Sequence, residues 1–280
     1  MTTPRIVVGV NGSTTSTAAV RWAAVEAQLR DADLHLVVAH RWQVPGKRFT
    51  SRSDLLRATG ERVTAHLDAA VHQARSAAAG VRVQGFAVVG DPVPVLLEAA
   101  TDADLLVVGG RDRGTPEPML GPVASQIAAY APCSVAVVRD GFRADGNTVV
   151  VGIDDSPATA ATVGAAFEEA ALRQSATLLA VSAYTAAPPG SDLRVFEAGL
   201  HRRIGEEVAP WRDKYPQIPV VCEVINGNPG AVLVERSQRA GLLVVGAGSG
   251  RDFEGLRLGP IRLHLLHHAG CPVLIARAAR

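Results

Sequence analysis

Cysteine is scarce in this chain of 280 residues, which holds only Cys133, Cys222 and Cys271. An odd, unclustered set of thiols excludes a disulfide framework and any zinc site built on paired C-x-x-C. Lysine is scarcer still, represented by Lys47 and Lys214. The 28 basic residues nearly balance 27 acidic ones, for a net charge of +1. There is no basic face for nucleic acid and no acidic tail. Trp22, Trp42 and Trp211 are too scattered to form a base-stacking platform and read as packing residues. No apolar run reaches membrane length, and Met1-Thr2-Thr3-Pro4 leads into an apolar strand without a signal peptide. The expectation is a soluble, cytoplasmic protein with no membrane partner. High Ala and Arg with little Lys suggests a GC-rich bacterial genome. No G-x-x-x-x-G-K-[ST] is present, which excludes a P-loop kinase.

What is present is said twice. Ile6-Val7-Val8-Gly9-Val10-Asn11-Gly12-Ser13 returns as Val149-Val150-Val151-Gly152-Ile153-Asp154-Asp155-Ser156. Leu105-Leu106-Val107-Val108-Gly109 returns as Leu242-Leu243-Val244-Val245-Gly246, and Ala131-Pro132-Cys133-Ser134-Val135 as Ala269-Gly270-Cys271-Pro272-Val273. Three segments in one order, each displaced by about 140 residues, mean two copies of one domain and exclude a short-period solenoid. Each copy is long enough to bury its own core.

Within each copy, short β-branched runs alternate with Ala-rich helical stretches. In the first, strands are expected at Ile6–Val10, Leu34–Ala39, Val81–Val88, Leu105–Val108 and Ser134–Val138, all read as buried. Helices are expected at Thr17–Arg30, Ser53–Ala79, Pro92–Ala100 and Val123–Tyr130. The second copy repeats this with strands near Val149–Ile153, Thr177–Ser182, Val220–Ile225, Leu242–Val245 and Val273–Ala276. Its helices fall near Ala158–Arg173, Leu193–Trp211, Gly230–Arg239 and Ile261–His268. Asp91-Pro92 and Asn228-Pro229 each put an N-cap residue before a proline at the first helical position. Strict alternation implies βαβ units and two doubly wound α/β domains, each a five-stranded parallel sheet with helices on both faces. The joint, Asp140–Gly146, is short and polar; the boundary is placed near Arg143, giving domains 1–142 and 143–280.

In such a sheet a ligand sits beyond the carboxyl ends of the strands, where the strand order reverses, between strands one and four. The residues delivered there are Asn11–Ser13 and Gly109–Gly121, then Asp154–Ser156 and Gly246–Gly259. Glycines such as Gly246, Gly248, Gly250, Gly255 and Gly259 before a helix at Ile261 let backbone amides approach a phosphate, and the helix N-terminus adds partial positive charge. They also serve simply to end strands and make turns.

These segments, with Gly-Asp-Pro before the third helix and the closing Ala-Pro-Cys-Ser-Val-Ala-Val-Val-Arg, resemble the universal stress protein family across both halves. The resemblance implies an adenine nucleotide alpha hydrolase-like fold with strand order 3-2-1-4-5. It implies no enzymatic turnover, but binding of ATP or another adenine nucleotide such as AMP or cyclic AMP, with magnesium as a bridging ion. ATP-binding members carry glycine, two residues, glycine, nine residues, then glycine and Ser or Thr, and their first strand ends in an aspartate that meets adenosine. Carried over by matching position, the second half offers Ile153, Asp154, Ala183, Gly246, Gly248, Ser249, Gly250, Gly259 and Ile261. The first offers Val10, Asn11, Ala39, Gly109, Gly121 and Val123. Ala39 and Ala183 match the small residue that floors the adenine.

The first half departs further from the pattern. Asn11 stands for the aspartate, Asp112 for the second glycine, eight residues rather than nine precede Gly121, and Pro122 replaces the Ser or Thr. The second keeps Asp154 and the Gly246–Gly259 separation, with Ser249 for a glycine and Pro260 for the Ser or Thr. Proline removes one amide and one hydroxyl, each worth about 1 kcal/mol as a neutral hydrogen bond. Asp112 beside a triphosphate repels it unless magnesium bridges them. The first site is therefore expected to be degenerate and the second partly preserved.

Other constellations carry less. His264, His267 and His268 have helical spacing but no matching Cys or carboxylate, so no metal is expected. Asp154-Asp155 resembles the acid pocket of a receiver domain, but no acceptor aspartate follows the third strands and both lysines lie far from the fifth. Cys133 and Cys271, just before the fifth strands, read as small buried hydrophobes. The fifth strands are apolar edges, for which the resemblance implies pairing between the two halves of the chain, and association of two chains as a homodimer remains open. Three readings stand: a nucleotide-binding stress protein, a ligand-free scaffold working through protein contacts, and a slow ATPase. The last lacks a general base, a metal-ligand set and a positioned lysine.

Overall fold

The computed structural model describes residues 3–40, 52–110, 120–141, 146–173, 176–248 and 258–277. The chain forms two compact units whose main bodies divide between Asp140 and Gly141. The expected boundary at Arg143 lies outside the described residues.

The first unit runs β1 (Arg5–Gly9), α1 (Thr14–Leu29), β2 (Asp33–His40), α2 (Arg52–Ala77), β3 (Arg82–Val89), α3 (Pro92–Ala99), β4 (Leu105–Gly109), α4 (Pro122–Tyr130) and β5 (Ser134–Val138). Its strands lie in the order β3-β2-β1-β4-β5 and every described pairing is parallel. The second runs β6 (Thr148–Gly152), α5 (Thr159–Leu172), β7 (Thr177–Tyr184), α6 (Leu193–Lys214), β8 (Val220–Asn226), α7 (Pro229–Ser237), β9 (Leu242–Gly246), α8 (Pro260–His268) and β10 (Val273–Ala276). It repeats that order as β8-β7-β6-β9-β10, again parallel. Right-handed crossovers in this order put the first two helices of a unit on one face of its sheet and the last two on the other. The packing of α1 on α2, α3 on α4, α5 on α6 and α7 on α8 agrees.

The central strands are the cores. Ile6 and Val8 in β1, and Val149, Val150 and Val151 in β6, are fully buried, as expected of strands covered on both faces. The third strand is a correction. β3 was expected to be buried, yet it is exposed along nearly its whole length, with Phe86, Val88 and Val89 facing solvent. It lies at the sheet edge with β2 as its strand neighbour, and its apolar composition resembles that of a central strand. The fifth strands, last in the order of each unit, are buried.

Helix α1 begins at Thr14 rather than Thr17, because Ser13 is its N-cap and accepts from the Ser16 amide at 3.1 Å. The Ser/Thr run that reads as loop is the cap and first turn. At α7, Asn228 caps by accepting from the Ala231 amide at 3.1 Å. Helix α6 continues through Pro210 to Lys214, beyond the expected end at Trp211.

Candidate functional site

Each unit opens a cavity where its first and fourth strands part. Beyond β1, the Val10 amide still donates to the Val37 carbonyl at 2.8 Å, and Ile153 repeats this with Val181 at 2.8 Å beyond β6. The next residue leaves the ladder and turns. Asn11 Oδ1 accepts from the Ser13 amide at 3.0 Å, and Asp154 Oδ1 accepts from the Ser156 amide at 3.0 Å. The two halves thus build the same side-chain turn on an amide and on a carboxylate. In the second unit the Thr159 hydroxyl also donates to Asp154 Oδ1, at 2.9 Å.

The glycines ending the fourth strands have a packing reason. A Cβ on Gly109 would stand 2.7 Å from the Thr15 carbonyl carbon, and one on Gly246 would stand 2.7 Å from Thr162 Oγ1. They let the first helix of each unit, α1 or α5, approach the sheet while also lining the cavities. Gly121, the N-cap of α4, has an ordinary φ of −61° and open space at its Cβ position. Neither backbone strain nor packing requires a glycine there.

The first cavity, about 310 Å³, is lined by all six residues expected there: Val10, Asn11, Ala39, Gly109, Gly121 and Val123. Ser13, Ser16, Leu96 and Ala124 join them. Among the described residues its lining carries no charged side chain. Asp112 lies outside the described residues.

The second cavity, about 350 Å³, brings together Ile153, Asp154, Ala183, Gly246 and Ile261. Gly259 is the N-cap of α8. Gly248 has φ +81°, and the Arg262 guanidinium covers the face where its Cβ would stand. Neither glycine is among the residues that line the cavity. Ser249, Gly250 and Gly255 lie outside the described residues.

The lining residues that sequence reasoning missed include Arg262 on α8, Arg203 and Phe196 on α6, and Tyr184 at the end of β7. Tyr184 donates to Glu197 and meets Phe196 edge to face, with centroids 5.1 Å apart. Arg262 follows Ile261 directly, so reading one residue further into the helix would have found it. Arg203 lies mid-helix, forms an ion pair with Asp155, and has no local signal.

These charges set the site's electrostatics. Partial burial pushes the Asp154 carboxyl up, but hydrogen bonds from Ser156 and Thr159 and the field of Arg262 outweigh it, leaving its pKa below the ordinary value. In the first unit Ala124 occupies the position of Arg262, the third residue after the N-cap glycine.

The His264 and His268 rings on α8 lie 4.5 Å apart. Among the described residues no group of three or more His, Cys, Asp or Glu side chains could hold a metal ion. No described helix is long and apolar enough to cross a membrane. Cys133 is half-buried, whereas Cys271 is buried and desolvation pushes its thiol up to about 12. Since the thiolate is the nucleophile, Cys271 is expected to resist iodoacetamide in the native protein near pH 8 and to react once guanidinium unfolds it, as read by mass spectrometry.

The universal stress protein family model matches residues 2–139 and again residues 147–277. A universal stress protein of Mycobacterium tuberculosis is 32% identical over 285 residues, covering 97% of this chain and 96% of the relative. A universal stress protein from Archaeoglobus fulgidus, solved by crystallography, superposes over 100% of both chains with a TM-score of 0.75 at 15% identity, a likeness of fold. A universal stress protein solved in complex with cAMP aligns with 50% of this chain and 98% of its own, at 29% identity and a TM-score of 0.39. With both halves matched by the family model and a relative aligned along nearly its whole length, the chain belongs to the universal stress protein family and carries two of its domains in tandem.

Proposed function

We propose that the chain is a cytoplasmic stress-response protein that binds an adenine nucleotide in its second domain and acts through protein association, without substrate turnover. The observation that supports this reading is the composition of the second cavity. Apolar and aromatic side chains of Ile153, Ala183, Tyr184 and Phe196 suit a purine, while Asp154 and Arg262 suit a sugar hydroxyl and a phosphate. A carboxylate has about four acceptor positions. Ser156 and Thr159 leave Asp154 with capacity to accept from ribose hydroxyls. Arg262 stands in the first turn of α8, where a guanidinium and a helix N-terminus both favour an anion. Pro260 withholds one amide, and Arg262 offsets that loss.

For the first domain a second reading is favoured. Its cavity has comparable volume, yet the described lining offers no charge to a phosphate. That half is assigned a scaffold role, contributing contacts with partner proteins.

Calorimetry of the full chain with AMP, cyclic AMP and ATP, with and without magnesium, tests this. The expected result is a single site per chain with a dissociation constant on the order of micromolar, weakening as salt rises. Absence of heat for all three at about 1 mM, where the binding free energy would be only about 4 kcal/mol, overturns the nucleotide reading.

A further inference from the structure

We infer that the Asp155–Arg203 ion pair is an internal competitor for the nucleotide phosphate in the second domain: Asp155 holds Arg203 until a ligand anion takes its place, and so sets how strongly the cavity prefers nucleotide over nucleoside. This inference rests on the nucleotide reading above.

Both residues line the second cavity, and Arg203 Nη1 is paired with Asp155 Oδ1. Arg203 Nε is buried with no hydrogen-bond partner among the described residues, so the guanidinium has a donor to spare inside the protein. The Asp155 side chain is 73% exposed and that of Arg203 is 38% exposed. A pair this open is weakly held, and its arginine can change partners at little cost. A phosphate satisfies a guanidinium through two donors at once. The remaining Asp155 carboxylate then faces the incoming anion and opposes it.

The equivalent place in the first unit shows the contrast. Gly12 stands where Asp155 does, and the His66 imidazole lies so close that a Cβ on Gly12 would be 2.6 Å from its Nε2. The helix contacts the turn there too, but through packing rather than charge.

Three variants of the full chain, titrated calorimetrically with AMP and adenosine, test the inference. Asp155→Asn is expected to tighten AMP by about three- to tenfold and to leave adenosine unchanged. Asp213→Asn makes the same change of net charge near the far end of α6 and should leave both ligands unaffected. Arg203→Gln is expected to weaken AMP several-fold, and adding Asp155→Asn to it should recover part of that loss. If Asp155→Asn leaves AMP affinity unchanged or lowers it while the wild type binds AMP, the competitor role is overturned and the nucleotide reading survives. If neither ligand binds the wild type or Asp155→Asn at about 1 mM, both fall together.

Discussion

Asp154→Asn is expected to weaken AMP and adenosine alike by about 10- to 100-fold while leaving the fold intact. A hydrogen bond to a charged group is worth about 1.5–3 kcal/mol, and each 1.4 kcal/mol is tenfold. The asparagine turns one acceptor oxygen facing the ligand into a donor. Equal losses for nucleotide and nucleoside separate this residue from Asp155, whose effect is confined to the phosphate. The fold should tolerate the change because the first unit already builds the same turn on Asn11, with the Ser13 amide held at 3.0 Å by Oδ1. Calorimetry gives the affinity and thermal unfolding gives the control.

The pH dependence has a definite sign. The folded pKa of Asp154 is depressed, so its contribution to stability is fully present above the unfolded carboxylate value, near 3.9. It is lost as pH falls through the lower folded value. From about pH 5 to 8, therefore, Asp154 stays ionised, and any change in AMP affinity there follows other groups, the phosphate included.

Much of the fold was legible because it repeats. A β-branched run such as Val149-Val150-Val151, seen once before as Ile6-Val7-Val8, reads as a buried strand from composition alone, and both are central strands. Burial at the edges was not legible. Phe86, Val88 and Val89 look like core residues in a linear reading, and only the strand order shows that, among the described residues, β3 pairs with β2 alone. Two buried glutamates were also invisible. Glu26 and Glu169 are 1% and 2% exposed, at matching positions of α1 and α5, each paired with an arginine four residues on. A helical Glu with an Arg at that spacing reads as a solvated pair, and nothing local marks it as buried.

At the site, residues that follow a strand end were legible: Asp154, Ala183 and Gly246 all line the cavity. Arg203 and Phe196 were not, because they come from the middle and start of α6, and packing rather than any motif brings them to the cavity. The turn after β6 depends on backbone and near neighbours; the charge facing it depends on how α6 lies across the sheet.

That lie of α6 is set by an aromatic cluster, and Phe167→Ala is expected to cost about 3–5 kcal/mol of stability, the range for deleting a buried phenylalanine. Phe167 on α5 is fully buried, stacked between helices with its ring centroid 6.3 Å from Trp211 and 6.0 Å from Tyr215. Gly164 leaves the space that Trp211 fills, since a Cβ there would stand 2.4 Å from the indole. Lys214 Nζ lies 5.1 Å from the centroids of both Trp211 and Tyr215. This packing accounts for a helix that continues past Pro210, where an interior proline costs about 3 kcal/mol. Removing the Phe167 ring takes away the surface against which the last turn rests. The thermal midpoint should fall by about 10 °C, and amide exchange should quicken most at Tyr215, whose N–H donates to the Trp211 carbonyl at 2.8 Å. Phe167→Leu, which keeps most of the volume, should cost about 1.5 kcal/mol. A drop in midpoint of equal size for both variants would mean that ring stacking, not filled volume, holds α6 in place.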